Sequence, residues 1–160
     1  MPMQMKGPLA ALDQWQPDRC SIALALDVIG TKSAVLLLRE AFYGTTRFDA
    51  FVRRVGITEA VAAKRLKELV EAGVLAKRPY REPGARTRYE YVLTDMGNAL
   101  LPVVVALMQW GDTYLREDGP LQVVAAETGE PVSVHVVPSG AGSLTPEGLQ
   151  VRINRGAGTS

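Results

Sequence analysis

The sequence predicts an α+β fold, and three observations on the segment from Thr46 to Thr94 predict it. A short amphipathic stretch is broken at Gly56, a longer one follows and ends at Gly73, and two β-prone runs then flank a Pro-Gly turn. Between Val52 and Arg88 there are ten basic residues against four acidic ones, although the whole chain has a formal net charge of only +1. Short helix, tight turn, longer helix and basic hairpin, in this order, form a winged helix-turn-helix.

The two helices of the motif have predicted starts. Thr46 and Asp49 have the spacing of a capping box, S/T-x-x-D, before the first helix. Thr58 is placed to cap the second helix, which we expect to run to about Ala72. The residues of this second helix that recur at three- and four-residue spacing are predicted to face the core: Ala62, Leu66, Leu69 and Val70.

The local excess of positive charge favours contact with phosphate, because each neutralised phosphate releases condensed counterions. Double-stranded DNA is therefore the expected partner, and a merely solvated charged surface is the alternative. The candidate DNA-binding residues at the start and on the outer side of the second helix are Thr58, Glu59, Ala60, Val61, Ala63, Lys64 and Lys67. We expect Lys64 and Lys67 to reach DNA and the small apolar residues to meet thymine methyl groups or to allow close approach. Arg65 is expected to form an internal ion pair with Glu40 or Glu68 instead.

The wing is predicted as strands near Leu75–Arg81 and Thr87–Leu93, joined by a Pro-Gly turn. Arg86 and Arg88 near its tip are further candidate DNA-binding residues, which would enter the minor groove or hold phosphate. Tyr89 and Tyr91 share one strand face at the period of two, and we expect both to be packing residues.

Helices are predicted on both sides of this unit. Ser21–Ile29 and Lys32–Phe42, the latter capped by Thr31, are expected to form the scaffold on which the second motif helix packs. Behind the hairpin, Thr94 precedes a predicted helix of about 22 residues, Asp95–Arg116, with more apolar surface than one solvated helix tolerates. This surplus of apolar surface predicts a partner helix from a second subunit. We therefore expect the helices that flank the winged helix-turn-helix to be dimerisation helices. Pro102 predicts a kink or a displaced helix start.

Four regions are expected along the chain: an N-terminal arm (1–17), the winged helix-turn-helix and dimerisation domain (18–117), a small C-terminal β extension (118–154) and a disordered tail (155–160). The extension is predicted as a β-meander or hairpin from the runs LQVVAA, VSVHVV and LQVRI. His135 is interpreted as a strand residue.

Several classes of protein are disfavoured by composition. With one cysteine the chain cannot form an internal disulfide, and its one histidine makes a metal-hydrolase or acid–base site improbable. Neither a P-loop nor a dinucleotide glycine fingerprint occurs. No apolar run of about 18 residues and no signal-peptide layout is present. We therefore expect no enzyme, no cofactor, no metal and no membrane association, and a cytoplasmic location.

An ordered set of short blocks carries a family resemblance. These are Cys20 with the following ALDVIGTK, then LLLRE, the stretch Gly44–Phe48, RLKEL, AGVL, RYEYVLTDMG and the final Trp110-Gly111. Over about residues 18 to 116 the chain resembles HxlR-type winged-helix transcriptional regulators. The resemblance implies a homodimer that binds operator DNA through the second motif helix and the wing, and many such regulators respond to oxidants or electrophiles. The family usually has GGKW where this chain has GTKS at residues 30–33, so we expect different packing around Ser33.

Cys20 is the candidate redox sensor. The partial positive charge at a helix N-terminus and the neighbouring Arg19 would favour a thiolate, whereas Asp18 would oppose it. The alternative is a small buried hydrophobe. Without a second cysteine, reversible chemistry would be an intersubunit disulfide, a mixed disulfide, a sulfenic acid or an electrophile adduct.

Three functional classes remain open from the sequence. The first is a dimeric transcription factor with a pseudo-palindromic operator, with or without a small-molecule or electrophile effector. The second is a sequence-tolerant architectural DNA binder. The third is a ligand-binding or protein-interaction module without DNA binding.

Overall fold

The computed structural model describes residues 4, 6–11, 13, 20–117, 119–140, 142 and 145–153. Apart from short 3₁₀ turns at Gly7–Ala10 and Pro146–Gly148, the described elements are α1 (Ser21–Ile29), α2 (Lys32–Phe42), α3 (Phe48–Val55), α4 (Glu59–Glu71), β1 (Leu75–Tyr80), β2 (Arg88–Leu93), α5 (Asp95–Asn98), α6 (Leu101–Tyr114), β3 (Leu121–Ala125) and β4 (Leu149–Ile153). The predicted elements of the helix-turn-helix and the wing are therefore present in the predicted order.

The core lies where α2, α3 and α4 meet the base of the β1–β2 hairpin. Its buried residues are Ile29, Leu37, Leu38, Phe51, Leu66, Leu69, Val74, Leu75 and Val104. Phe51 on α3 is fully buried and meets the ring of Tyr91 edge to face, with 6.2 Å between ring centroids. Three packed helices with a two-stranded wing confirm the predicted α+β winged helix-turn-helix.

Hydroxyl caps and a left-handed glycine set the turns of the helical unit. The Oγ1 atoms of Thr31 and Thr58 each accept a backbone N–H at 3.2 Å, from Ala34 and Val61. Gly56 ends α3 with φ 72°, a conformation that side chains with a Cβ rarely adopt. Two predicted caps and the predicted break are thereby confirmed.

The predicted capping box at Thr46 is wrong. Arg47 occupies the N-cap position of α3, and no side chain caps this helix. Thr46 serves the wing instead, because its carbonyl oxygen accepts the amide of Tyr91 at 2.8 Å. This hydrogen bond to β2 takes the place of the local cap.

The wing is an antiparallel hairpin whose register runs from Leu75 opposite Leu93 to Tyr80 opposite Arg88. Each strand is one residue shorter at the tip than predicted. The prediction that Tyr89 packs is wrong, since this residue is 57% exposed while Tyr91 is half-buried. The two rings share a strand face, but the hairpin extends beyond the core before it reaches Tyr89.

The helix predicted over Asp95–Arg116 is divided in two. Thr94 caps the short α5 by accepting the amide of Gly97 at 3.1 Å, and α6 begins afresh at Leu101 with Pro102 in its first turn. Proline fits this position because the first amides of a helix have no intrahelical acceptor. The displaced start predicted from Pro102 is confirmed.

In the extension, β3 and β4 pair antiparallel, with Leu121 opposite Ile153. The run VSVHVV at 132–137 forms no strand, so the β3–β4 pair matches the hairpin alternative rather than the meander, and the strand position predicted for His135 is wrong. One reason is that the amide of Val134 donates to Oε1 of Gln109 on α6, at 2.8 Å, instead of to a neighbouring strand. His135 is exposed, with Nε2 2.6 Å from the Ser133 hydroxyl. The predicted tail at 155–160 lies outside the described residues.

α1 contributes less to the scaffold than predicted. Ile29 is buried and Val28 packs against the core, but Ile22, Leu24 and Leu26 are 70%, 52% and 55% exposed. None of the described helices is long and apolar enough to cross a membrane by itself; α1 and α2 pass that test only as a pair bent by 77°.

Candidate nucleic-acid interface

The outer side of α4 is exposed as the helical spacing predicted. Ala62, Leu66 and Leu69 are at most 1% exposed and face the core. The exposed residues at the start and on the other side are Thr58, Glu59, Ala60, Val61, Ala63, Lys64 and Lys67. The side chains of Ala60, Val61 and Ala63 are small, so they leave room for close approach of this face of α4 to a groove of DNA.

The cations of α4 differ in their partners. Nζ of Lys67 lies 3.7 Å from the Glu71 carboxylate, whereas Lys64 has no carboxylate within ion-pair distance among the described residues. Arg65 pairs with Glu68 at 2.6 Å. Of the two partners predicted for Arg65, Glu68 is right and Glu40 is wrong.

Glu40 on α2 has other partners. Its carboxylate is 3% exposed, and it accepts from the guanidinium groups of Arg39, at 2.8 Å, and of Arg54 on α3. The hydroxyl of Thr45 donates to it at 3.4 Å. Since a buried carboxylate requires such partners, this cluster joins α2 to α3 and engages Arg54 internally.

A second buried carboxylate lies at the base of the wing. Glu90 on β2 is 9% exposed and accepts a hydrogen bond from Nε of Arg78, on β1, at 2.8 Å. Nε of Arg47 lies 3.6 Å from its other oxygen. The hydrogen bond from Arg78 and a second from Thr46 hold the pKa of the Glu90 carboxyl below its ordinary value. This cluster was not predicted from the sequence, although Arg78 and Glu90 are opposite each other in the register of the hairpin.

Half of the ten basic residues between Val52 and Arg88 have a carboxylate within 4.0 Å: Arg53, Arg54, Arg65, Lys67 and Arg78. Those with no such partner in the described part of the chain are Lys64, Lys77, Arg81, Arg86 and Arg88. Four of these five belong to the wing or its tip. The positive potential available to a polyanion is therefore concentrated on the hairpin, beside α4.

The wing tip itself is ordered by an internal contact. Nε of Arg81 donates to the carbonyl oxygen of Ala85 at 2.8 Å, and Gly84 adopts φ 77°. Arg86 and Arg88 follow this closed turn and are exposed, as the sequence predicted. They are held at the end of the hairpin, outside the core.

Apolar side chains cover one side of α6. Val103, Leu107, Trp110 and Tyr114 are spaced by four, three and four residues and are 41% to 71% exposed. The rings of Trp110 and Tyr114 are 5.8 Å apart. An apolar stripe of this kind on an exposed helix indicates a surface for a protein partner.

Cys20 occupies the N-cap position of α1 and is half-buried. Its side chain accepts no capping hydrogen bond. No three histidine, cysteine, aspartate or glutamate side chains are grouped to hold a metal ion anywhere in the described ranges.

The helix-turn-helix core, the exposed outer side of α4 and the basic hairpin define a winged helix-turn-helix protein. The chain belongs to the HxlR-like helix-turn-helix family, whose model matches residues 28–119.

Among its relatives is the uncharacterized HTH-type transcriptional regulator Rv3095 of Mycobacterium tuberculosis (strain ATCC 25618 / H37Rv), which is 43% identical over 101 residues. That match covers 62% of this chain and 63% of the relative, so the chain spans just under two thirds of the length of this relative.

Two solved structures share the fold. The crystal structure of PA1607 is 39% identical, with a TM-score of 0.68, and the match covers 76% of this chain and 85% of that one. The redox regulator HypR in its reduced form is 30% identical, with a TM-score of 0.54, and the match covers 59% of this chain and 92% of that one.

Proposed function

We propose that this protein is a homodimeric, sequence-specific transcriptional regulator that binds double-stranded DNA and acts in the cytoplasm. The observation that carries the proposal is the adjacency of two features, the exposed outer side of α4 with Lys64 and the wing with its unpaired cations. Membership in a family of helix-turn-helix regulators supports the same function.

In this mechanism α4 enters the major groove and the wing contacts the backbone or the minor groove. Lys64 and Lys67 approach base edges or phosphates, while Ala60, Val61 and Ala63 approach thymine methyl groups. Thr58 and Glu59 lie at the N-terminus of α4, which places them at the leading end of the inserted helix. Arg86 and Arg88 neutralise phosphate at the wing.

The second subunit is proposed to pack on the apolar stripe of α6 and on the exposed residues of α1. A dimer of this kind would place two copies of α4 about 34 Å apart, one turn of B-DNA, on successive major grooves. We expect Trp110→Glu to convert the dimer to a monomer in multi-angle light scattering, because it buries an unpaired charge in the interface. Val136→Glu is the matched control, since Val136 is fully exposed on the extension. A dimer that survives Trp110→Glu would contradict this interface.

The test of the function is selection of bound duplexes from a random pool at physiological salt, followed by competition with random duplex. A regulator retains a preferred, two-fold related sequence. An architectural binder shows salt-sensitive binding without preference, and a ligand or protein-interaction module shows no salt-sensitive DNA binding. Either of these two outcomes would refute the proposal.

Regulation through Cys20 is the proposed response to oxidants or electrophiles. Its position at the start of α1, the helix proposed to contact the second subunit, would couple a modification to the dimer. The similarity to HypR, a redox regulator, supports this idea. Complete alkylation should change operator affinity in the wild type and not in Cys20→Ser. Identical binding curves before and after alkylation would remove the sensor.

A small-molecule effector is the alternative. A cavity of about 500 Å³ lies between α2, α6 and the start of β3, lined by Val35, Tyr43, Leu107, Met108 and Leu121 among others. Its size is in the range of ligand pockets, about 300 to 1,000 Å³. An effector bound there would touch both α2, which supports the motif, and α6.

A further inference from the structure

We propose that Glu90 is a positioning residue for DNA binding, which holds the wing at a fixed angle to the helix-turn-helix so that Arg86 and Arg88 reach the duplex that α4 occupies. The inference rests on the proposed function, which does not assign any role to Glu90.

Glu90 lies in the middle of β2 and is 9% exposed. Nε of Arg78 donates to its Oε1 atom at 2.8 Å, and Nη2 of the same guanidinium group lies 2.7 Å from that oxygen. A carboxylate this far from water is stable only when it is paired and hydrogen-bonded. The pair therefore fixes the relation of β1 to β2 at the point where the hairpin leaves the core.

Arg47 connects this pair to the helical unit. It is the residue directly before α3, and its Nε lies 3.6 Å from Oε2 of Glu90. Its guanidinium carbon lies 3.4 Å from the centre of the Tyr80 ring on β1, and its Nη1 is 3.6 Å from Glu82 in the turn. One side chain thus contacts both strands and the turn of the wing.

A backbone hydrogen bond also attaches β2 to the segment before α3. The amide of Tyr91, next to Glu90, donates to the carbonyl oxygen of Thr46 at 2.8 Å. Thr46 and Arg47 precede α3, so the carboxylate and the amide both attach β2 to the entrance of the helix-turn-helix. A loss of the Glu90 charge would remove one ion pair from Arg47 and one from Arg78.

The negative charge of Glu90 allows a positioning role to be distinguished from a direct electrostatic effect on DNA affinity. Glu90 is negative, and removal of a negative charge near a polyanion strengthens binding by long-range attraction. A positioning role predicts the opposite result, because the wing would lose its fixed angle. Glu82→Gln is a matched control, since it removes the same charge from an exposed carboxylate that also contacts Arg47.

The experiment compares Glu90→Gln and Glu82→Gln on a duplex selected with the wild type. We expect Glu90→Gln to weaken binding by roughly tenfold, a size ordinary for residues in one interacting network. Glu82→Gln should leave affinity unchanged or raise it. Arg47→Lys, which keeps the charge but loses the planar group stacked on Tyr80, should weaken binding as well. If Glu90→Gln binds as tightly as Glu82→Gln, the proposal is wrong.

A double-mutant cycle with Arg86→Ala/Arg88→Ala measures whether Glu90 acts on DNA binding through these two arginines. A residue with only a structural role would show no such coupling. In the Glu90→Gln background these two changes should cost less affinity and change the salt dependence less than in the wild type. Additive effects would overturn the proposal.

Hydrogen exchange measured without DNA tests the clamp, meaning the contacts of Glu90 with Arg78 and Arg47 that hold the wing, independently of DNA binding. The Tyr91 amide should exchange faster in Glu90→Gln than in Glu82→Gln, while the amides of α4 keep their protection. Unchanged exchange at Tyr91 would reject the clamp. Absence of salt-sensitive DNA binding by the wild type would reject the proposed function and, with it, a role of Glu90 in DNA binding, whereas exchange at Tyr91 would still report whether Glu90 fixes the wing.

Discussion

At the scale of single residues, Lys64 and Lys67 differ although they lie on the same side of α4. Lys67 has Glu71 at 3.7 Å, while no carboxylate of the described residues pairs with Lys64. A cation that already has a partner gains less from a phosphate or a base. Lys64 should therefore contribute more to DNA affinity than Lys67.

We expect Lys64→Ala to weaken binding by about 1 to 3 kcal/mol if the lysine contacts a base, or to lower the salt slope by about 1 if it contacts a phosphate. Titrations at several salt concentrations distinguish the two. Lys32→Ala, which removes an exposed lysine outside α4 and the wing, is the control. Equal losses in both variants would place Lys64 outside the interface.

Glu90 also makes stability depend on pH. Its folded-state pKa lies below the ordinary value of 4.5 because Arg78 and Thr46 hydrogen-bond to it. The ionised group therefore stabilises the fold above its unfolded pKa, and this contribution is lost as the pH falls through the folded pKa. The difference in Tm between wild type and Glu90→Gln should be constant near neutral pH and should shrink in acid. A difference that grows in acid would contradict the pairing.

Exposure on α4 could be predicted from the sequence because helical periodicity alone separates Ala62, Leu66 and Leu69 from Lys64. The partners of the charged residues could not be predicted in the same way. Arg47 and Glu90 are far apart in the chain and meet only when the hairpin folds back onto the start of α3. Arg65, by contrast, pairs with Glu68 three residues further along α4, a local pair that helical spacing allows.

At the scale of elements, the short α5 fixes the end of the wing to the end of α4. The hydroxyl of Thr94 donates to the carbonyl oxygen of Gly73 at 2.5 Å, and Thr94 also caps α5. A Cβ atom at Gly97 would overlap the carbonyl oxygen of Val74. This contact permits only glycine where α5 crosses the chain between α4 and β1.

Alanine ordinarily stabilises a helix by roughly 1 kcal/mol relative to glycine. In Gly97→Ala the overlap with Val74 should outweigh that gain, so the variant should have a lower free energy of unfolding than the wild type. Chemical denaturation gives the free energy of unfolding. Asn98→Ala, one residue further along, should have a small effect. A more stable Gly97→Ala variant would show that α5 can move away from Val74 without cost.

Element types were predictable wherever caps and breakers are local, as at Thr31, Thr58, Gly56 and Pro102. Two of the errors have non-local causes. At Thr46 a strand contact replaced the helix cap. At 132–137 the side chain of Gln109 on α6 took a backbone amide that a strand would have used.

At the scale of the whole molecule, the unpaired cations set the expected dependence of binding on salt. Each neutralised phosphate contributes about 0.9 to the slope of log affinity against log salt. In the proposed dimer, each cation without a carboxylate partner that reaches a phosphate would add to that slope.

Arg86→Ala/Arg88→Ala should lower the slope by up to about 2 for each subunit. The double variant should also keep its dimer in light scattering, because both residues lie on the wing. A slope identical to that of the wild type would mean that the wing does not reach the backbone.

Folding of the winged domain could be anticipated as a whole, but the position of the extension could not. Nothing in the pattern of β3 or β4 indicates that Val123 and Leu149 share a small cavity with Val104, Val105 and Met108 on α6. The sequence showed only that α6 has apolar residues on several sides.

This arrangement has a consequence for stoichiometry. The β3–β4 sheet lies over one flank of α6, and the stripe from Val103 to Tyr114 remains uncovered on another. If copies of this chain pair through the stripe, as proposed above, the flank of α6 that faces the sheet is closed to a further copy. The extension would then limit association through this helix to two molecules.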